Sequence, residues 1–385
     1  MQQPVKVGET FDIEAIERAL ANAWQATAAE SEGEEALLRA RAANLIIYLP
    51  NKAALEETRR TVAELTSMHP CRVLVLVGDR NADDKDIEVY ISASCPKGKR
   101  RESRLLCCEE ITLSAAGDFV SELPSAAIPL LIPDLPVFLW WCDVLRLDEK
   151  LFETLLARVD RLIIDSADFQ DSPGDLAALA RVLAADVHQT TTVSDINWER
   201  LTPWRTSLAN FYDVPSYRDE LNQINRLRIE YVAQGSRSES QAAQPLLIAG
   251  WLASRLGWEL VRQTSAPPPD LKSVLQFAKD DRSIEVELNP SQAPGLKPGR
   301  ILRIELERAG DQPAVFHVHR SDDGEYLETS VNVGVQHCPG RRVRFRNLTT
   351  TQLLSREMEI LGGDKIYEEA IGLAGRTIQP RNRLR

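Results

Sequence analysis

Residues 132–143 read Ile132-Pro133-Asp134-Leu135-Pro136-Val137-Phe138-Leu139-Trp140-Trp141-Cys142-Asp143. A strand needs free backbone donors, which proline lacks, so Pro133 and Pro136 confine the first half to a strand entry, an edge or a turn. The apolar run 137–141 is then free to be a buried strand. Successive side chains of an extended segment alternate, so Trp140 and Trp141 point to opposite faces. One indole can join the core while the other lies under a helix, a ligand or a partner protein.

Outward from this stretch, the first half alternates strands with helices. Residues 43–49 predict a short strand, Pro50-Asn51 a turn, residues 52–66 a helix and residues 72–77 an aliphatic strand. Such a strand-helix-strand unit makes parallel sheet. Phe11, Ile13, Ile16, Leu20 and Trp24 give residues 11–28 one apolar helical stripe. Strands are expected at 87–93, 105–113 and 161–165, and helices at 115–123, 149–158 and within 174–184. Residues 1–213 therefore read as an α/β domain with a mostly parallel covered sheet of roughly five to seven strands.

The second half has another rhythm. An apolar helix at 241–256 and the stiff linker Ala266-Pro267-Pro268-Pro269-Asp270 precede closely spaced strands at 271–277, 283–288, 300–307, 314–319 and 325–331. Helices at 351–361 and 365–371, parted by Gly362-Gly363, close the chain. Residues 214–385 read as an α+β domain with an antiparallel sheet and helices on one side.

Composition bounds the function. The chain has 385 residues, 43% hydrophobic and 27% charged, as expected of a globular protein with ordinary cores. Its start lacks the apolar core of a signal peptide, and no apolar run approaches the roughly 20 residues that span a bilayer, so a cytoplasmic location is expected. The net charge of −11 is uneven: residues 1–214 carry 22 Lys and Arg against 35 Asp and Glu, the remainder 24 against 22. An acidic first half disfavours nucleic acid as a partner, because binding it requires positive charge.

Chemical signatures are sparse. Gly78-Asp79-Arg80 falls short of a dinucleotide fingerprint, Lys97-Gly98-Lys99 lacks Walker spacing, and no nucleophile elbow or zinc-protease helix is present. No catalytic residue, metal site or cofactor is therefore expected. The six cysteines, at 71, 95, 107, 108, 142 and 338, have no zinc spacing. Buried reduced thiols are the plain reading; the neighbours Cys107 and Cys108, and Cys95 beside Lys97 and Lys99, are the redox candidates. The basic run Lys97, Lys99, Arg100, Arg101 and Arg104 reads as a solvated loop. His317 and His319 share a strand face near His337 and Cys338, and His69-Pro70 reads as a helix end.

More specific is Asn197-Trp198-Glu199-Arg200-Leu201-Thr202-Pro203-Trp204-Arg205. Thr202 before Pro203 suits a helix N-cap, and the tryptophans and arginines make a compact aromatic and cationic surface. That segment, residues 133–141 and His69-Pro70-Cys71-Arg72 occur in an order and spacing that resemble the glucose-6-phosphate dehydrogenase assembly protein family, OpcA. The resemblance implies a non-catalytic partner of glucose-6-phosphate dehydrogenase, needed for its assembly or activity in the oxidative pentose phosphate pathway of cyanobacteria and actinobacteria. It points to Trp140, Trp141, Trp198, Arg200, Trp204 and Arg205 as partner-binding or buttressing residues. With the six cysteines it also suggests redox control, with thioredoxin as a second partner. A small-molecule or phosphate-binding α/β protein, or an enzyme of unknown substrate, is the competing reading.

Overall fold

The computed structural model describes residues 3–5, 12–30, 42–94, 108–184, 191–233, 242–261, 273–360 and 362–376. The chain begins with β1 (Gln3–Val5), α1 (Ile13–Glu30), β2 (Ala43–Leu49), α2 (Leu55–Thr66), β3 (Cys71–Asp79), β4 (Lys85–Ser94) and β5 (Cys108–Ala116). It continues through α3 (Leu123–Ala127), β6 (Val137–Trp141), α4 (Lys150–Leu156), β7 (Arg161–Ile164), α5 (Ser172–Ala184) and β8 (Thr192–Asp195). Next come α6 (Ile196–Arg200), α7 (Thr202–Tyr212), α8 (Pro215–Leu221), β9 (Arg226–Val232), α9 (Ala243–Leu256), β10 (Glu259–Val261) and β11 (Ser273–Lys279). The rest is β12 (Arg282–Ser291), β13 (Ile301–Arg308), β14 (Ala314–Arg320), β15 (Tyr326–Val333), β16 (Gln336–Arg344), α10 (Thr350–Glu359) and α11 (Lys365–Ala374).

These elements form two units, each gathered from separate segments. The first holds Met1–Ile164, Asp186–Ile196 and Thr349–Gly363; the second holds Asp165–Ala185, Asn197–Leu348 and Asp364–Arg385. The chain therefore crosses between units at several points.

The first unit is built on an eight-stranded sheet, ordered β1-β4-β5-β3-β2-β6-β7-β8. Every neighbouring pair from β5 to β8 is parallel, while β4 runs antiparallel to both β5 and β1. The expected α/β class holds. The strand count exceeds the expected range because β1 and β8, of three and four residues, carry no apolar run. Strand β2 is buried along its whole length and β3 along all but its last residue, the pattern of parallel strands covered on both faces.

The proline stretch behaves as its chemistry requires. Pro133 and Asp134 form a turn with Asp134 at φ 63°, a region asparagine and aspartate tolerate better than most residues, and β6 starts directly after Pro136. Asn44, buried at the start of β2, holds this turn: its amide donates to the Ile132 carbonyl at 3.0 Å, and its oxygen accepts from the Ile132 N–H at 2.9 Å. The Asn44 backbone N–H donates to the Pro136 carbonyl at 2.8 Å. One side chain thus sets where β6 enters the sheet.

Two buried arginines fix other parts of this unit. Arg72 binds the Glu109 carboxylate at 3.0 Å, the Glu17 carboxylate at 2.6 Å and the Leu130 carbonyl at 2.8 Å, so its charge is paired and its fork satisfied. Arg161 donates to the carbonyls of Ile360 and Gly362 at 2.7 and 2.9 Å. These bonds hold the end of the 349–363 segment, whose α10 carries a Thr349–Gln352 capping box. On the same segment Ser355 meets His69 Nε2 at 2.6 Å and the Thr351 hydroxyl donates to Glu64 at 2.9 Å. His69 therefore tethers a distant segment, a role that its place at a helix end does not disclose.

The second unit contains another eight-stranded sheet, ordered β10-β11-β12-β9-β13-β14-β15-β16. All pairs are antiparallel except β12 with β9. The expected meander is thus two antiparallel runs on either side of a central β9. Strand β9 reads Arg-Leu-Arg-Ile-Glu-Tyr-Val, and its buried and half-buried residues alternate. Helix α9 packs against α11 so closely that a Cβ on Gly250 would lie 2.2 Å from the Ala370 carbonyl oxygen. The linker at 266–270 falls outside the described residues.

Two outcomes follow from these contacts. Gly250→Val places side-chain atoms against the α11 backbone and should destabilise by about 2–3 kcal/mol or more, read as a lowered urea midpoint for the second unit. Asn44→Ala removes the partners of the part-buried Ile132 N–H and carbonyl, at up to about 1–3 kcal/mol for each group, and should lower the midpoint of the first unit. An unchanged midpoint for Asn44→Ala would show that the 132–136 turn holds without it.

Candidate functional site

Sheet order locates the place where a ligand would be expected. From β2 the chain moves to β3 and β5 on one side, while β6 joins on the other, so the topological switch lies between β2 and β6. Open α/β sheets hold ligands at the carboxyl ends of such strands. Here that place is taken by Tyr48, the penultimate residue of β2, and Trp141, the last residue of β6. Their rings stack with centroids 4.2 Å apart and planes 15° from parallel. Phe152 of α4 meets Trp141 edge-on at 4.9 Å, and the Trp141 Nε1–H donates to the Val144 carbonyl at 3.3 Å.

Charged groups close the arrangement. The Arg80 guanidinium lies 5.5 Å from the Tyr48 ring centroid and pairs with Asp143 at 3.1 Å and with Glu149. Arg146 also pairs with Glu149, at 3.0 Å. The Tyr48 side chain is wholly buried with its hydroxyl unpartnered, and burial pushes the phenol pKa well up. Gly78, at the end of β3, has no room for a side chain: a Cβ would lie 2.6 Å from Val120 Cγ1 and 3.0 Å from the Tyr48 hydroxyl. The glycine serves packing at the position where a nucleotide fold would turn towards phosphate.

Trp140, on the opposite side of β6 from Trp141, is also buried, at 8% exposure. The two faces expected for the paired indoles are both covered. Tyr48, Arg80, Asp143 and Glu149 had no local signature, because sheet order and not sequence proximity assembles them; the double tryptophan was the only visible part.

The second tryptophan motif belongs to the second unit. Trp198 and Trp204 are buried, at 5% and 1% exposure. The Trp198 Nε1–H donates to Asp364 at 2.8 Å, and Asp364 caps α11 by accepting from the Ile366 and Tyr367 N–H groups. The Arg205 guanidinium stacks on the Trp198 ring at 3.7 Å and donates to the Thr202 hydroxyl and the Trp198 carbonyl. Burial lowers the Arg205 pKa to about 10, with Asp364 and Glu199 opposing the shift. Trp204 meets Phe345 edge-on at 6.2 Å. Thr202 is not the expected N-cap. It is the first residue of α7, Leu201 precedes it without a side-chain cap, and the threonine hydroxyl bonds Glu199 and Arg205 instead.

Arg200 grips both oxygens of Asp165, at 2.6 and 2.7 Å. Nearby, the Asn197 amide donates to Ser166 at 3.0 Å and accepts from Gln244 at 2.8 Å, while Gln244 accepts from the Ile301 N–H at 3.2 Å. This buried polar chain ties α6, α9 and β13 together. The six residues singled out for partner binding are thus four buried indoles and two half-buried arginines with partners inside their own units.

The redox candidates Cys95 and Cys107, and the basic run 97–104, lie outside the described residues, as does the side chain of Cys108 at the start of β5. Cys71 is buried, Cys142 half-buried and Cys338 exposed. His317 Nδ1 lies 3.2 Å from Glu305 and its Nε2 3.1 Å from Asn332, which contacts His337 at 2.6 Å. Among the described residues no group of three or more His, Cys, Asp and Glu side chains is arranged to hold a metal ion. No helix among them is long and apolar enough to cross a membrane.

Known proteins supply the remaining comparison. Family models described as the glucose-6-phosphate dehydrogenase subunit N-terminal and C-terminal domains match residues 62–181 and 191–371. A protein of Nostoc punctiforme named "Putative OxPP cycle protein OpcA" is 30% identical over 329 residues, covering 84% of this chain and 68% of that one. The protein of the same name from Synechocystis sp. is 29% identical over 313 residues, which is 80% of this chain but 64% of the relative's length. Among solved structures, the WlbA dehydrogenase of Thermus thermophilus in complex with NAD and UDP-GlcNAcA covers 88% of this chain and 95% of its own at 12% identity. Its TM-score of 0.41 is too low to carry an argument. The two domain matches and the 30% identical relative place this chain in the glucose-6-phosphate dehydrogenase assembly protein family, OpcA.

Proposed function

We propose that the chain is a non-catalytic assembly factor and allosteric activator that binds glucose-6-phosphate dehydrogenase and supports the oxidative pentose phosphate pathway. The observation that carries this reading is the match of both family domains, whose descriptions name them as subunit domains of that enzyme. The filled switch point supports the non-catalytic part. An enzyme of this sheet type needs open space at the strand ends, and here Tyr48, Trp141 and the Arg80 ion pairs occupy it.

Activation requires a difference in affinity. The chain must bind the active conformation or oligomer of the dehydrogenase more tightly than the inactive one, and its effect cannot exceed that difference. Trp198 and Trp204 are too buried to be read directly, so their part is to buttress a surface that includes Arg200, Arg205 and the exposed Thr206 and Ala209. Trp140 and Trp141 support the first unit in the same way.

Titrating the chain into purified dehydrogenase, with turnover and complex mass recorded together, should raise both in parallel. A Trp204→Ala, Arg205→Ala double variant, less stable because it removes an indole only 1% exposed, should lose the effect in preparations that circular dichroism shows to be folded. Wild-type activation by the folded variant would remove the 198–205 segment from the interface, and co-purification without change in turnover or assembly would leave a binder but no activator.

Redox response is a further part of the proposal, resting on Cys95, Cys107 and Cys108, with thioredoxin as the dithiol donor. Affinity for the dehydrogenase should differ between oxidant-treated and dithiol-treated chain, and should keep differing in Cys338→Ser, which removes the exposed thiol of β16. Equal affinity in the two states would remove redox control.

A further inference from the structure

Arg300 and Arg320 in the second unit have a well-bonded backbone, yet among the described residues neither side chain makes a hydrogen bond or an ion pair. The turn before Arg300 needs Gly299 at φ 78°, and β9 grips the backbone on both sides: Gly299 N–H donates to the Val232 carbonyl at 2.8 Å, and Val232 N–H donates to the Arg300 carbonyl at 2.9 Å. The next residue, Ile301, is fixed by Gln244. Arg320 ends β14, paired with Leu327 of β15, and its guanidinium lies 4.3 Å from the Phe345 ring centroid. Arg320 Nε is buried without an acceptor.

The surrounding charges do not supply the missing anion. Strand β13 pairs Arg303 with His319, so Arg320, the next residue of β14, lies beside the start of β13 that directly follows Arg300. Burial, followed by the nearby Arg200 charge, lowers the Arg300 pKa to about 10, and the Arg320 charge acts in the same direction. Burial lowers the Arg320 pKa as well. The acids that sense Arg300 are Asp165 and Asp168. Both Asp165 oxygens are already held by Arg200, and burial, then Asp165, raises the Asp168 pKa and weakens it as a counter-ion. Lys297, exposed in the turn, is close enough to act on Asp168. Arg200, Arg300, Arg320 and Lys297 against Asp165 and Asp168 leave an excess of two positive charges.

Two guanidinium forks with unmatched donors, carried on a bonded backbone, suit an oxyanion of two or more charges, which accepts several planar N–H bonds at once. We propose that Arg300 and Arg320, with Lys297 at the rim, form a binding site for phosphate or a phosphate monoester. The site belongs to the second unit and is independent of the dehydrogenase, so it can be tested on the chain alone.

Thermal unfolding would be followed in low-salt, phosphate-free buffer while inorganic phosphate, glucose 6-phosphate or, as uncharged control, glucose is added. Both phosphates should raise Tm saturably, by about 2 °C or more, and glucose should not. Tighter binding of the sugar phosphate assigns the site to an ester, and equal binding assigns it to the phosphate group itself. Arg300→Gln and Arg320→Gln should each weaken binding about tenfold or more. Arg303→Gln, on the half-exposed Arg303 side chain of β13, should not. Without phosphate Arg300→Gln should melt no lower than the wild type, since it removes an unpaired charge; a purely structural arginine would show the opposite. Should Arg300→Gln fail to fold, Arg300→Lys keeps the charge but loses the fork and should still weaken binding. No saturable response of the wild type up to about 10 mM phosphate, or binding by the two glutamine variants equal to that of the wild type, would overturn the site.

Discussion

The face-to-face contact of Tyr48 with Trp141 governs what the first sheet can be used for. Both side chains stand at the carboxyl ends of neighbouring parallel strands, where the direction of strand addition reverses and a crevice forms by topology alone. Stacked aromatic rings contribute about 0.5–1.5 kcal/mol beyond the area they bury, and here they occupy that position themselves. Gly78 allows the close approach of β3 to the tyrosine, and Arg80 with Asp143 and Glu149 covers it. The strand ends at the switch point are thereby packed with this chain's own side chains.

The same economy of means sets the strand that delivers Trp141. Pro133 and Pro136 cannot donate to a ladder, so the chain must turn before β6, and Asn44 supplies from β2 the hydrogen bonds that the turn lacks. Parallel strands need such long-range fixing because no tight hairpin sets their register. Asn44 acts on Ile132, 88 positions further along the chain.

How much of this was legible follows from the range of each interaction. Strands β2, β3 and β6 were readable because continuous aliphatic or aromatic runs bury on both faces. The short β1 and β8 carry no run, and β16 exposes every side chain, so pattern could not reveal them. Strand β9 does alternate, and its Arg-Leu-Arg-Ile-Glu-Tyr-Val was a signal that could have been used. Thr202 before Pro203 matched the composition of a cap, but its hydroxyl found Glu199 and Arg205 first, which shows how a local preference yields to a neighbouring charge. The candidate site was legible only in its tryptophans. The groups that give those indoles a function come from distant positions that only the folded chain brings together.

Burial of the four marker tryptophans changes how the family likeness should be understood. A side chain with 1–8% exposure offers a partner almost no area, so a motif made of such residues identifies the fold more directly than the contact. Trp198 illustrates the point: its ring bears Arg205 on one face and its N–H holds Asp364, which in turn starts α11. Changing that indole would move a guanidinium and a helix terminus together. Any partner surface nearby would be altered through its support, and a loss of binding would report the loss of that support unless helix and arginine were shown to stay in place. Under the proposed function, specificity for the dehydrogenase would lie in exposed polar groups carried by this framework and not in the aromatic core beneath them.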